Sequence, residues 1–368
     1  MENLYSKYRP LNFSDVCGQD KVIKELIKRA GDNNFPQATL LSGTTGTGKT
    51  TIANIIAKTL LCKNKDKNNN PCNECPQCQT VIYERPSNYF YMFNASSMNI
   101  DDSRGIEELA VTKSLSMNKE KVILIDEFQE LSNNKKASKA ILKVIEQKLK
   151  DTYFILLSMD ESKIDKALIN RTVPYRLHDL NYEQIAEYLY YICQQENIDL
   201  ENEEKANVLF TIAENSGGSM RTAISYLERC IYSEIWNVKE LIDELKIIST
   251  SKLGDIINQL LSGDVNVFKD NTIDKDMLER IRGTLVLFYK FKNGVPLNKY
   301  QASQMPKNII DFDLDVLNHA IESMYELFKF PYISQEMLDF VLINIIRNNK
   351  KDDVVKLQEN PKRRRPAQ

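Results

Sequence analysis

Short apolar runs alternate with longer periodic stretches through the first half of the chain. Gln37–Ser42 (QATLLS), Tyr89–Ala95 (YFYMFNA), Lys121–Ile125 (KVILI) and Tyr153–Ser158 (YFILLS) are of strand length. Nearly continuous apolar runs of this size predict strands buried on both faces, as in a parallel sheet. Between them, Lys49–Leu61, Ser103–Lys113 and Lys135–Leu149 carry apolar residues at helical spacing. The alternation predicts an α/β fold with helices on both faces of the sheet. Val173–Leu177 (VPYRL) is a further candidate strand, with Pro174 near its start, where a missing N–H is tolerated.

After about residue 180 the strand signal ends. Glu183–Asn197, Glu203–Glu214 and Met220–Ser233 read as helices of a small domain, with Gly217-Gly218 as a break. From Ser251 to Asn349 the pattern is helical again, for example over Gly254–Leu261 and Glu336–Arg347. The expected divisions are therefore 1–179, 180–245, 246–350 and a tail at 351–368. Lys362, Arg363, Arg364 and Arg365 make that tail basic, either as a solvated mobile end or as a DNA contact.

Composition narrows the function classes. The 368 residues include 49 basic and 51 acidic side chains, for a net charge of −2. This excludes a uniformly basic nucleic-acid binder but leaves room for a local basic face. With 42% apolar and 27% charged residues, the chain is not a largely disordered one. No apolar run reaches the roughly 18 residues of a membrane span. The opening MENLYSKYRP lacks the apolar core of a secretory signal, so a cytoplasmic protein is expected, in the host cytoplasm if phage-encoded. Only two histidines occur, His178 and His319, which counts against histidine-based catalysis or a histidine-rich metal site.

One segment carries specific chemistry. Gly43-Thr44-Thr45-Gly46-Thr47-Gly48-Lys49-Thr50 fits the G-x-x-x-x-G-K-[ST] phosphate loop, with a strand before it and a helix after it. Glycines let backbone N–H groups turn inward around phosphate oxygens, and the helix N-terminus adds partial positive charge. Lys49 is expected to reach the β- and γ-phosphates of ATP, Thr50 to ligate Mg²⁺, and Thr51 to complete the nucleotide-binding run. A second strand ends in Asp126-Glu127. Asp126 is expected to hold Mg²⁺ through water, and Glu127 to orient or polarise the attacking water. Glu127 has no role in binding alone, so the pair favours hydrolysis.

Four of the seven cysteines, Cys62, Cys72, Cys75 and Cys78, fall within seventeen residues, with the polar loop Lys63–Asn70 between the first two. Four thiolates and no histidine suit a closed structural Zn²⁺ site with no open position for a catalytic water. Unliganded thiols and an iron–sulfur cluster are the alternatives. Cys17, Cys193 and Cys230 are expected to be ordinary buried residues.

These pieces, in this order, resemble the bacterial clamp-loader ATPases of the DNA polymerase III gamma/tau type, within the AAA+ superfamily. Lys7-Tyr8-Arg9-Pro10 followed by Phe13-Ser14-Asp15-Val16-Cys17-Gly18-Gln19 resembles the family's N-terminal signature. The cysteines directly after the phosphate-loop helix resemble its zinc module. Asn94-Ala95-Ser96-Ser97, Asp126-Glu127, Ala140-Ile141-Leu142-Lys143 and Gly218-Ser219-Met220-Arg221-Thr222-Ala223 resemble further family segments. The resemblance is specific over roughly 1–235. It implies an AAA+ core at 1–179 with a zinc module at 62–78, a helical lid at 180–245, and a helical collar for oligomerisation at 246–350.

The resemblance also assigns roles. Arg221 is implied to reach the γ-phosphate from the lid of the same subunit, and Ser158 to be the polar sensor near it. Arg171 is implied to act on the neighbouring subunit's ATP, although its flanks here are Asn170 and Thr172 rather than the family's Ser and Cys. The family's Glu-Glu-Pro is replaced by Glu146-Gln147-Lys148. Ser103-Arg104-Gly105-Ile106 resembles a DNA-tracking helix. It is expected either to bring Arg104 and the helix N-terminus to a phosphate, or to be a solvated helix start capped by Asp102. The implied function is a motor subunit, in a ring-like hetero-oligomer expected to be a pentamer, that loads a sliding clamp onto primer–template DNA. The alternatives are a non-hydrolysing stator of the same assembly and another AAA+ remodeller such as a helicase loader. The chain ends soon after the collar-like region, which reads as gamma-like rather than tau-like.

Overall fold

A computed structural model describes residues 3–67, 69–98, 100–112, 120–147, 149–200, 202–245, 250–270, 273–297, 302, 305–330 and 333–358. The chain divides into two compact units, Met1–Val238 and Lys239–Gln368.

The first unit is built on a five-stranded parallel sheet: β1 (Ala38–Ser42), β2 (Phe90–Asn94), β3 (Lys121–Asp126), β4 (Thr152–Ser158) and β5 (Val173–Arg176). Its order is β2-β3-β4-β1-β5. The sheet is covered on both faces, and β3 shows how. Val122 and Leu124 join a core with Leu26, Ile52, Ile55 and Leu157, while Ile123 and Ile125 join one with Ile106, Ile141, Val144 and Leu156. Alternate residues thus serve opposite layers, and each fully buried Leu or Ile stabilises the fold by about 1.5–3 kcal/mol.

The helices of this unit are α1 (Leu4–Lys7), α2 (Asp20–Gly31), α3 (Lys49–Leu61), α4 (Pro76–Ile82), α5 (Ile100–Val111), α6 (Lys135–Glu146), α7 (Lys166–Ile169), α8 (Tyr182–Gln195), α9 (Glu203–Asn215) and α10 (Met220–Tyr232). Helix α2, absent from the sequence expectation, buries Ile23, Leu26 and Ala30 at helical spacing. Helices α8 to α10 form the lid. Asn181 and Gln184 make a capping box at the start of α8, and Ile185, Leu189, Ile212, Ala223 and Leu227 are buried. The amide of Leu4 donates to Glu228 Oε1 at 2.8 Å, fixing the N-terminal turn to α10.

One boundary corrects an expectation. Helix α5 starts at Ile100, so Asp102 lies inside its first turn rather than capping it. Acidic residues there suit the positive end of the helix dipole. Arg104 consequently sits beyond the helix start, and its side chain lies outside the described residues.

The second unit has helices and no strand among its described residues. Thr250–Leu261, Lys275–Lys292, Leu314–Leu327 and Gln335–Gln358 surround a core of Ile256, Leu260, Leu278, Ile281, Leu317, Met324 and Leu342, among others. Asn258 holds a neighbouring loop in place, donating to Asn308 O at 2.8 Å and accepting from the Ile310 amide at 2.9 Å. The basic tail at 361–368 lies outside the described residues. Among the described residues, no helix is long and apolar enough to cross a membrane.

Candidate nucleotide and metal sites

The carboxyl ends of β1, β4 and β3 lie side by side, and this edge gathers the predicted chemistry. Ser42 is in register with Ser158, and the Gly43 amide donates to Ser158 O at 3.1 Å. Strand β4 is inserted between β1 and β3, so the chain crosses over twice here, and such switch points are where open α/β sheets bind ligands. The loop from Gly43 to Gly48 joins β1 to α3. Gly46 and Gly48 have φ of 83° and 99°, a region costly for other residues. A Cβ on Gly46 would also lie 1.9 Å from Ser219 Oγ at the start of α10. The approach is functional in shape, because the Met220 amide, one of the first of α10, donates to Gly46 O at 3.2 Å.

Lys49 Nζ donates to Gly43 O and Thr44 O, both at 2.7 Å, and Thr47 Oγ1 donates to Thr44 O at 2.9 Å. Burial pulls the Lys49 pKa below its ordinary value, with nearby Asp126 opposing the shift. Thr45, Gly46, Thr47, Gly48, Lys49, Thr50 and Thr51 line one cavity together with Asp126, Glu127 and Arg221. Gly43 and Thr44 stand behind them as carbonyl acceptors for Lys49. The Thr44 hydroxyl also donates to Asp179 at the entry to the lid.

Asp126 ends β3, and its Oδ1 accepts the Glu127 amide at 2.7 Å. Glu127 adopts φ 52°, a left-handed conformation that an L-residue holds only against strain. Strain of that kind is common where a side chain must be aimed at a site. Buried Gln129 accepts the Met159 amide on its Oε1 at 3.1 Å, joining the acidic turn to the end of β4. Ser158 itself is 1% exposed, and its Oγ accepts the Asp160 amide at 3.2 Å. It is Met159, the next residue, that lines the cavity.

The three arginines separate. Arg221, on the first turn of α10, lines the cavity, and its Cζ lies 4.9 Å from the centre of the Tyr5 ring. Arg171 lies away from the cavity and pairs with Glu146 at 2.5 Å, with both side chains 43% exposed. Arg104 is the one whose side chain is outside the described residues.

Sequence reasoning did not assign the far wall of the cavity. Tyr5, Tyr8, Arg9, Pro10, Val16 and Tyr188 line it. Arg9 and Pro10 belong to the N-terminal signature, but no chemistry attached to them in the sequence. Arg9 pairs with Glu84 through Nη1 at 3.3 Å, whereas its Nε is buried without a hydrogen-bond partner among the described residues. A buried orphan donor at the wall of a phosphate-loop cavity fits a polar ligand.

The four cysteines converge. Their Sγ atoms all lie within 4.8 Å of one another, with Cys62 to Cys72 at 3.6 Å and Cys62 to Cys75 at 4.0 Å. Tetrahedral thiolates at about 2.3 Å from zinc would stand about 3.8 Å apart. Backbone amides point at the sulfurs: Cys72 N–H at Cys62 Sγ (3.4 Å) and Cys75 N–H at Cys72 Sγ (3.3 Å). Burial works to raise the Cys72 thiol, but the amides of Glu74 and Cys75 help to outweigh it and hold it at about 7. The donor set therefore fits a divalent soft metal. The other cysteines differ from one another: Cys193 and Cys230 are buried, as expected, while Cys17 is only partly buried and lines the cavity.

Known proteins agree with this geometry. Residues 18–181 match a family described as DNA polymerase III, delta subunit, and residues 187–231 match the RCF1/5-like AAA+ ATPase lid domain. The DNA polymerase III subunit tau/gamma of Haemophilus influenzae is 32% identical over 228 residues, covering 62% of this chain and 32% of that protein. The subunit gamma of Buchnera aphidicola from Acyrthosiphon pisum is 31% identical over 247 residues, covering 67% of this chain and 66% of that one. The chain belongs to the AAA+ ATPase family, gamma/tau type. The aligned part spans about a third of the Haemophilus relative's length. A variant of Thermotoga maritima RuvB shares the AAA+ fold, with a TM-score of 0.50 at 16% identity, over 82% of this chain and 90% of that one.

Proposed function

We propose that this gamma/tau-type chain is an ATP-hydrolysing motor subunit of a sliding-clamp loader. The observation that carries the reading is a single cavity lined by the phosphate loop, the Asp126-Glu127 pair and Arg221 of the lid. A stator would not need Glu127 beside an intact Lys49 and Thr50. The relatives named as DNA polymerase III subunits point to replication rather than another remodelling task.

In this reading the amides of Gly46–Thr51 cradle the phosphates and Lys49 leaves its two carbonyl acceptors for the β- and γ-phosphates. Thr50 and Asp126 hold Mg²⁺, which neutralises phosphate charge when bound. Glu127 orients the attacking water, and Ser158 keeps the end of β4 in register beside it. Arg221 stabilises charge from the lid, and Arg171 reaches the ATP of an adjacent subunit, leaving Glu146. Little covalent work falls to the protein; positioning and electrostatics carry the rate.

The division of labour is part of the proposal: an ATPase core at 1–179, a lid at 180–245, a collar at 246–350 that joins other loader subunits in a ring-like hetero-oligomer, and a tail at 351–368. The cysteine module holds Zn²⁺ as a structural metal. Primer–template DNA is met through its phosphates, with Arg104 a candidate contact. The protein works in the cytoplasm, without a membrane partner.

Steady-state ATPase of the chain with partner subunits, clamp and primed DNA tests this. Stimulation by clamp plus primed DNA, abolished in Lys49→Ala and Arg171→Ala, is expected. ATP binding without turnover under any condition would overturn the motor role, and stimulation by DNA but never by a clamp would overturn clamp loading.

A further inference from the structure

One side chain joins the two sites described above. Lys58 lies on α3, the helix that begins at the phosphate-loop lysine, and is 2% exposed. Its Nζ donates to Leu11 O at 2.7 Å and to Asn73 Oδ1 at 2.6 Å. Leu11 follows Arg9 and Pro10, which line the cavity wall. Asn73 sits between Cys72 and Cys75 with φ 61°. Its Nδ2 donates to Asn12 Oδ1 at 3.0 Å, and its carbonyl accepts from Gln79 Nε2 at 2.6 Å. Both ends of the Asn73 amide therefore grip the segment just after the cavity wall, one through Lys58 and one directly.

We infer that Lys58 and Asn73 are positioning residues through which the cysteine loop holds the Arg9–Pro10 wall of the nucleotide cavity, so that metal bound by the cysteines tightens ATP binding without touching ATP. The inference rests on the cavity being the ATP site and the cysteine cluster being a zinc site.

Three physical points support it. An ammonium group buried this deeply is costly, and a methionine would fill the space without that cost, so the charge has a task. The task is visible: the first acceptor is the carbonyl of Leu11, in the irregular stretch between α1 and the turn at Phe13–Asp15. The third point is charge. Four thiolates around one divalent ion carry a net negative charge, and Cys62 and Cys78 lie within electrostatic reach of the Lys58 ammonium. Metal binding fixes the thiolate charge and the loop carrying Asn73 together, and Lys58 passes both to Leu11. A second link runs parallel, from Arg9 Nη1 to Glu84 just past α4.

The phosphate loop is not part of this clip, which gives the test its discrimination. Full-length wild type, Lys58→Met, Asn73→Gly and Asn12→Ala are compared for zinc content, melting temperature, and Kd for ATP and for inorganic tripolyphosphate. Glycine at 73 keeps the left-handed backbone while removing the amide. All three variants are expected to retain zinc and to bind ATP more weakly, by about tenfold for Lys58→Met, in keeping with two lost charge-assisted hydrogen bonds that act indirectly. Tripolyphosphate affinity is expected to stay at the wild-type value. Wild type stripped of zinc should show the same ATP-selective loss. Folded, zinc-loaded Asn73→Gly and Asn12→Ala with wild-type ATP affinity would overturn the clip, whether or not Lys58→Met folds. Equal weakening of ATP and tripolyphosphate would also overturn it, by locating the damage in the phosphate loop. Failure of the underlying reading looks different: wild type itself would lack zinc or fail to bind ATP.

Discussion

Arg221 rests on Tyr5. The guanidinium lies over the ring with Cζ 4.9 Å from its centre, and Nη2 donates to the phenolic oxygen at 3.0 Å. The two residues are 216 positions apart, on the first turn of α10 and in α1. Both line the nucleotide cavity. An exposed arginine is otherwise free to sample many rotamers, so the aromatic ring narrows where its charge can go.

Tyr5→Ala should therefore lower kcat by about fivefold with little change in the ATP KM, given about 1 kcal/mol for a cation–π contact at a partly exposed site. Tyr5→Phe keeps the ring and should recover most of the loss. Steady-state kinetics on the assembled complex separates the two, and equal defects in both variants would assign the effect to the hydrogen bond instead.

Arg171 is held more loosely. Its ion pair with Glu146 is exposed on both sides, and such pairs contribute about 0–1 kcal/mol. Glu146→Gln should leave the melting temperature within about 1–2 °C of wild type, while Arg171→Ala should cost the assembly about 10³-fold or more in stimulated turnover if it acts across subunits. A melting curve beside a turnover assay decides whether Arg171 serves stability or the neighbour's ATP.

Glu161 offers a pH signature. Its carboxylate accepts from Arg176 Nε and Nη2 at 2.8 and 2.9 Å and from Ser42 Oγ at 3.3 Å, linking β5 to the end of β1. The Arg176 hydrogen bonds hold its pKa below the ordinary 4.5, against a smaller opposing push from burial. A depressed carboxylate contributes stability that is complete above its unfolded pKa and is lost as pH falls through the folded one. Urea melts between pH 6 and 3 should show Glu161→Gln losing less stability on acidification than wild type.

Two glycines only two positions apart should behave unequally. Ala at Gly46 meets Ser219 Oγ in addition to its unfavourable φ, whereas Ala at Gly48 meets no heavy atom within 4 Å. Gly48→Ala should cost about 1–2 kcal/mol in stability from backbone strain alone. Gly46→Ala should cost more and loosen the lid from the phosphate loop, read as greater protease sensitivity around Gly217-Gly218.

Much of the architecture was legible because strands buried on both faces leave long apolar runs. Lys121–Ile125 and Tyr153–Ser158 carry that signal, and each is all but one residue of its strand, β3 and β4. The helix after the phosphate loop carried its own start. Helix α2 is equally periodic, with Ile23, Leu26 and Ala30 buried, but it follows directly on the N-terminal signature and has no capping side chain at Gln19 to mark its start. Helix α4 was hidden for a different reason. It is short and starts at Pro76 amid the cysteines, so metal spacing masked helical spacing.

At the site, local motifs were readable and their distant partners were not. Lys49, Thr50, Asp126 and Glu127 announce themselves through short spacing. Nothing in the local sequence of Tyr5 or Lys58 predicts its partner, because each contact depends on how several elements pack. The left-handed backbone of Glu127 is likewise set by the turn into Phe128–Asn133 rather than by residue type.

The Met220 amide that reaches Gly46 O has a consequence during synthesis. The two residues lie about 170 positions apart, and at roughly 5–20 residues per second the ribosome needs on the order of 10–30 s to pass from one to the other. Until then the nascent chain carries a phosphate loop whose Gly46 carbonyl is met by water instead of the Met220 amide, and Arg221 does not yet exist. The wall of the cavity formed by Met220, Arg221 and Ile224 is therefore completed about 170 residues after the phosphate loop has left the ribosome.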